Sequence, residues 1–252
     1  AHVWNSNRGI DISGGSGGIG FNGYTLVSGS TGTSVYVHDQ LAGSTVSFTD
    51  LNIQNRHALG LAMDNAAGVV TVTNSTIVTN ELGSTASALD IRNSSGQFLF
   101  NKFEALDPTG APGVSLQSNN GLTAFNTLRI TAHDGTALYA NTTGNLAINS
   151  GGDATMGGNI SAIRGTGVDL RNSNLNVNLT SVSSNNATVG INLQKTTGPF
   201  TIMGNGVAGS GGTISNNVAG IQLQNVAGPV NLNWMTLDTN GTGIKGTSVA
   251  NL

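Results

Sequence analysis

Apolar and polar residues alternate along this chain over short stretches, and the stretches recur at intervals near 25 residues. A small residue followed by an apolar-x-apolar triplet opens each of them. The frames are Gly9-Ile10-Asp11-Ile12, Gly60-Leu61-Ala62-Met63, Ala88-Leu89-Asp90-Ile91, Gly113-Val114-Ser115-Leu116, Ala137-Leu138-Tyr139-Ala140, Gly167-Val168-Asp169-Leu170, Gly190-Ile191-Asn192-Leu193, Gly220-Ile221-Gln222-Leu223 and a weaker Gly243-Ile244-Lys245-Gly246. A period of two predicts strands, because successive side chains of a strand point to opposite faces. Recurrence at this longer interval predicts a stacked repeat in which each unit buries its apolar face against the next.

A second β segment follows each frame by about ten residues. Its apolar pairs are Val46 and Phe48, Val70 and Val72, Phe98 and Phe100, Leu122 and Ala124, Leu146 and Ile148, Leu175 and Val177, Phe200 and Ile202, and Val230 and Leu232. A third segment is marked by Ile53, Ile77, Phe103, Ile130, Ile160, Val182, Ile214 and Leu237. Three strands per coil over about nine to ten coils predict an all-β parallel β-helix solenoid, a rod on the order of 45 Å long at the ~4.8 Å spacing of paired strands. Residues 1–33 read as a cap-like segment with the first coil and residues 34–252 as the regular solenoid, continuing beyond the fragment. Asn55, Asn65, Asn80, Asn93, Asn172, Asn225 and Asn240-Gly241 follow strands and predict corners with left-handed backbone. Coils of 23 residues (Val168 to Ile191) and 30 residues (Leu138 to Val168) require outward loops, the longest being 149–158, 203–212 and 104–112. Phe48, Phe98, Phe100, Phe103, Phe125, Phe200 and Trp234 are assigned to the interior.

Composition narrows the function. With 37 Gly, 32 Asn, 8% charged and 5% aromatic residues, the polar positions are filled mostly by uncharged side chains. A net charge of -3 gives no basic stripe, which argues against a nucleic-acid partner. No cysteine is present, so disulfides and thiolate metal sites are excluded. No run of 18 apolar residues occurs, which argues against membrane insertion by this segment. The glycine run at residues 14–20 lacks the Lys-Thr of a phosphate loop.

Candidate chemistry falls on the outward face of the first strand. Its first column is Asp11, Tyr36, Ala62, Asp90, Ser115, Tyr139, Asp169, Asn192, Gln222 and Lys245, and its second is His38, Asp64, Arg92, Gln117, Asn141, Arg171, Gln194 and Gln224. Asp64, Asp90 and Arg92 thereby come within one or two coil spacings. Clustered carboxylates that hold a cation or the substrate acid, with a basic residue that removes a proton, are what a polysaccharide lyase needs. The competing reading is a ladder of exposed ion pairs, Asp64 and Asp90 beside Arg92 and Asp169 beside Arg171, each contributing ~0 to 1 kcal/mol. Tyr36 and Tyr139 on this exposed face, with Asp90 and Arg92, are candidates for contacting a ligand such as a sugar ring. His2, His38, His57 and His133 lack the spacing of a shared metal site, and His38 above Asp64 is the one histidine pair. No metal and no cofactor is expected.

The Gly-Ile-x-Leu frames followed by Gly-x-Val-x-Leu segments resemble the right-handed parallel β-helix of the pectate-lyase-like superfamily. The low charge, missing cysteine and Asn/Gly/Ser/Thr bias are similar to passenger regions of bacterial autotransporters and large surface adhesins. The resemblance covers roughly residues 34–252 and implies secretion, an extracellular location at the bacterial cell surface, and adhesion or biofilm formation through a protein or glycan partner or self-association. No catalytic motif of the superfamily's enzymes maps onto this chain, so a non-catalytic rod is the leading expectation. A lyase or hydrolase centred on Asp64, Asp90 and Arg92, and a self-assembling filament subunit, are the alternatives.

Overall fold

Each turn of the chain can bury its apolar side chains only against the turns above and below it, and this decides the architecture. The computed structural model describes residues 1–80, 85–106, 109–149 and 157–252. It is an all-β parallel solenoid of about nine turns, without helix among the described residues.

Three columns of parallel strands run along it. The first begins with strands Ile10–Ser13, Val35–His38, Leu61–Asp64 and Leu89–Arg92 and continues through the starts of Val114–Asp134 and Leu138–Asn149. Its register is unbroken from Ile10 through Val35, Leu61, Leu89, Val114, Leu138, Val168, Ile191 and Ile221 to Ile244. The N-terminal residues belong to the same ladders: His2–Trp4 pairs with Leu26–Ser28 in the third column, and Gly18–Phe21 with Thr45–Phe48 in the second. One apolar cluster fills the interior from Ile12 to Val230.

In the second column the ladder Val70, Phe98, Thr123, Leu146 and the ladder Val72, Phe100, Phe125, Ile148 face inward. The expected pair Leu122 and Ala124 is therefore off by one residue, since a register shift between Asn119 and Leu122 moves both to the outer face. Val177 pairs with Phe200 and Leu179 with Ile202, two residues from the expected alignment, which preserves the face. In the third column Val78, fully buried, takes the inward place expected of Ile77, while Ile77 pairs outward with Glu104. Glu104 is itself in strand Gln97–Leu106, nearly buried and bonded to Arg129 Nη1 at 2.5 Å, so the excursion expected from 104 begins later. Trp234 is 51% exposed, with left-handed backbone (φ 58°), and not in the core. The residues Gly151-Gly152-Asp153 of the loop 149–158 lie outside the described residues.

The corner after the first strand keeps one backbone conformation from coil to coil. Gly14, Asp39, Asn65, Asn93, Ser118, Thr142, Asn172, Lys195, Asn225 and Ser248 occupy it in ten successive coils, all with φ between 48° and 66°. Glycine and asparagine take this conformation at low cost, and they fill five of the ten positions. Asn65, Asn93, Asn172 and Asn225 are where a left-handed corner was expected. Asn55 and Asn80 instead lie within strands, and Asn240 bonds the neighbouring coil through Ile214 O and Asn217 N. Just inside the corner, buried side chains serve backbone groups that no ladder reaches: Ser94 Oγ accepts from Ala66 N, and Asn119 accepts from Ser94 N and donates to Ile91 O.

Candidate functional site

Alternation puts Asp90 between inward Leu89 and Ile91, on the outer face of the first column. The two columns expected there are the ones observed: Tyr36, Ala62, Asp90, Ser115, Tyr139 and Asp169 stand in one register, and His38, Asp64, Arg92, Gln117, Asn141 and Arg171 in the next.

Exposure departs from expectation. Side chains two residues apart on one strand point the same way, and the second column folds back over the first. Arg92 Nη2 donates to Asp90 Oδ2, Arg171 donates twice to Asp169 at 2.8 Å, and Gln117 donates to Ser115 Oγ at 3.0 Å. Asp90 is consequently 2% exposed and Asp169 8%, lying beneath half-exposed arginines rather than on an open ladder. The Asp169 carboxylate holds the Arg171 guanidinium above its ordinary value, burial opposing. Asp90 Oδ1 is buried without a partner. Asp64, adjacent to Arg92 in register, accepts from Asn93 Nδ2 in the corner at 3.1 Å. Of the three candidate catalytic residues, Asp90 and Arg92 meet as an ion pair, and Asp64 is drawn into the corner's amide ladder.

Tyr36 is already engaged: its ring stacks on His38 at 4.2 Å, and Arg8 lies 5.1 Å from its centroid. Burial, followed by the Asp64 charge, raises its hydroxyl above the usual phenol value. Tyr139 is half-buried between Ser115 and Asp169.

A tighter cluster, which residue spacing does not predict, lies at this end of the face. His38 bonds Asp39 Oδ2 through Nδ1 at 2.7 Å and Asp11 Oδ1 through Nε2 at 2.9 Å, Arg8 pairs with Asp11 at 2.6 Å, and Asn65 donates to Asp39 at 2.7 Å. Asp64, the expected partner of His38, is its register neighbour. The signal was present, since Asp11 stands one coil below Tyr36, but it crosses between the two columns.

This cluster predicts a pH dependence. Burial acts to lower the His38 value, yet the hydrogen bonds from Asp39 and Asp11 outweigh it and leave the imidazole above its ordinary value. The Arg8 hydrogen bond lowers Asp11 against its partial burial, and the Asn65 amide, then His38, lower Asp39. Histidine stabilisation is fully present below ~6.5 and is lost as pH rises through the raised folded value; carboxylate stabilisation is present above ~3.9 and is lost as pH falls through the lowered values. The clamp thus contributes most between about pH 4 and about pH 6.5. The thermal midpoint of the parent chain should exceed that of His38→Gln most in this window, and an advantage that does not shrink as pH rises beyond it would contradict the assignment.

Elsewhere, Arg164 reaches Asp134 at 2.6 and 2.9 Å and holds its carboxyl down to about 2, with His133 assisting. Arg56 is buried, donates to Ala58 O and Ala86 O, and is lowered to about 10 by that burial. Among the described residues no three His, Asp or Glu side chains are placed to hold a metal ion, and no helix is long and apolar enough to cross a membrane. Comparison with protein-family models, with curated proteins and with solved structures found no match.

Proposed function

We propose that this chain is a non-catalytic stretch of a bacterial surface rod, built as a right-handed β-helix like that of the pectate-lyase-like superfamily and most like an autotransporter passenger or large adhesin. It works extracellularly, in adhesion or biofilm formation, by holding protein or glycan partners against its outer faces. The observation that carries this reading is the row structure of the surface: uncharged amides and hydroxyls repeat coil after coil on an in-register scaffold. Asn126 donates to Asn101, Asn174 to Asn145, Asn172 to Asn141 and Asn216 to Asn185 across neighbouring coils. Such rows fix polar groups at a constant spacing, so partner groups can bind several at once without ordering a loop.

The reading is tested by presenting the purified chain, labelled with a fluorophore, to bacterial cells, host cells and matrix-coated surfaces. Saturable retention on at least one of them is expected. Turnover of acidic polysaccharides that disappears in Asp90→Asn would replace the rod by an enzyme.

A further inference from the structure

We propose that the corner after the first strand, in the fifth to eighth coils, holds a binding site for a single sugar acid; this rests on the adhesive reading and names the ligand class at one place on the rod. A shallow concavity of about 410 Å³ lies there, bordered by Asn120, Thr142, Asn172, Asn174, Lys195 and Thr197. That volume is within the range of small-ligand sites. Gly144, which carries no side chain, forms part of its wall.

Two features separate this corner from its repeats. First, the left-handed position is filled in the other coils by Gly, Asn, Asp or Ser, but here by Thr142 (φ 56°) and Lys195 (φ 52°). A β-branched and a long side chain are held in a conformation unfavourable to both, and both border the concavity. Second, Lys195 is the sole charged group among the lining residues, with no carboxylate beside it there.

The neighbouring amides set the rest of the ligand's chemistry. Asn172 donates to Asn141 at 2.8 Å, and Asn174 donates to Asn145 at 2.6 Å and accepts from Thr197 at 3.0 Å. A primary amide has two N–H groups and two lone pairs, so each keeps capacity for sugar hydroxyls. One cation amid amides and hydroxyls suits one carboxylate on a hydroxylated ring. A polyanion would need several cations, which this wall does not supply. Sialic acid and hexuronic acid termini share this chemistry.

The test uses the full 252-residue chain with 3′-sialyllactose, methyl β-D-glucuronide, lactose and acetate, followed by saturation-transfer NMR and calorimetry. At least one of the two acids should bind, with lactose and acetate weaker by ten-fold or more; which acid binds separates the two sources. Lys195→Asn places at the corner a residue that tolerates its backbone, so the thermal midpoint should hold or rise while acid binding weakens at least ten-fold. The site is overturned if neither acid binds, if lactose binds as well as the acids, or if Lys195→Asn leaves acid binding intact. Retention of the chain on cells without acid binding removes this site and leaves the adhesive rod. Acid binding without retention on any surface keeps the site and removes the rod.

Discussion

Phe125→Ala is expected to destabilise the chain by about 3 to 5 kcal/mol, the range for truncating a buried phenylalanine in a core that cannot collapse around the gap. Phe125 stacks on Phe100 at 5.1 Å and meets Phe103 edge-on at 5.7 Å, while Phe100 and Phe103 meet at 5.4 Å. All three are buried. Truncation removes two aromatic contacts, worth about 0.5 to 1.5 kcal/mol each beyond area, as well as the apolar surface itself. Because each coil of a solenoid is stabilised only by its neighbours, the damage should stay local. Urea unfolding followed by hydrogen exchange should show the amides of residues 97–103 and 122–128 losing protection first, with distant coils still protected. A loss below about 1 kcal/mol would mean that these rings do not form the interior described.

Gly121→Ala is expected to be as damaging for a different reason. A Cβ at Gly121 would lie 1.8 Å from Gly96 O, one at Gly96 2.0 Å from Gly68 O, and one at Gly144 2.5 Å from Asn120 O. The glycines thus form a vertical row in which each coil's backbone occupies the place of the next coil's side chain. The clash is with a backbone carbonyl, so no flexible side chain can move aside. Coils must separate, and the cost should reach about 3 kcal/mol or more, at or above the upper end of the usual overpacking range. Gly17→Ala is the comparison, since nothing lies within 4 Å of a Cβ there. Its stability should stay within about 0.5 kcal/mol of the parent. Equal behaviour of the two variants in thermal unfolding would show that the coils are not packed this closely.

The repeat was legible in the sequence because alternation and spacing report the same constraint at every coil. The outward columns from Tyr36 to Gln222 follow directly from it. Alternation failed where apolar residues occupy both parities. In Leu122-Thr123-Ala124-Phe125 either pair can face inward, and the irregularity after Asn119 selects Thr123 and Phe125. In Ile77-Val78 the same ambiguity was resolved in favour of Val78. Trp234 was assigned inward by its type, whereas its left-handed backbone takes it out of the strand alternation. For the site, spacing brings Arg92 equally near Asp64 and Asp90. The choice of Asp90 depends on a side chain folding back along its own strand, a conformational detail that no spacing encodes. The concavity beside Lys195 was hidden because a lysine in a left-handed corner is visible only once the corner's backbone is known.

Distances between spin labels test the stacked, in-register solenoid most directly. The chain contains no cysteine, so single labels can be placed through Ser13→Cys, Gln117→Cys and Gln224→Cys without interference. Four coil steps separate Ser13 from Gln117, and four more separate Gln117 from Gln224, all in one column. At ~4.8 Å per step the two shorter distances should each be about 19 Å and the longest about 38 Å, their sum. Pulsed electron–electron resonance giving two equal distances that add along a line is the expected result, whereas a longest distance no greater than either of the others would contradict it.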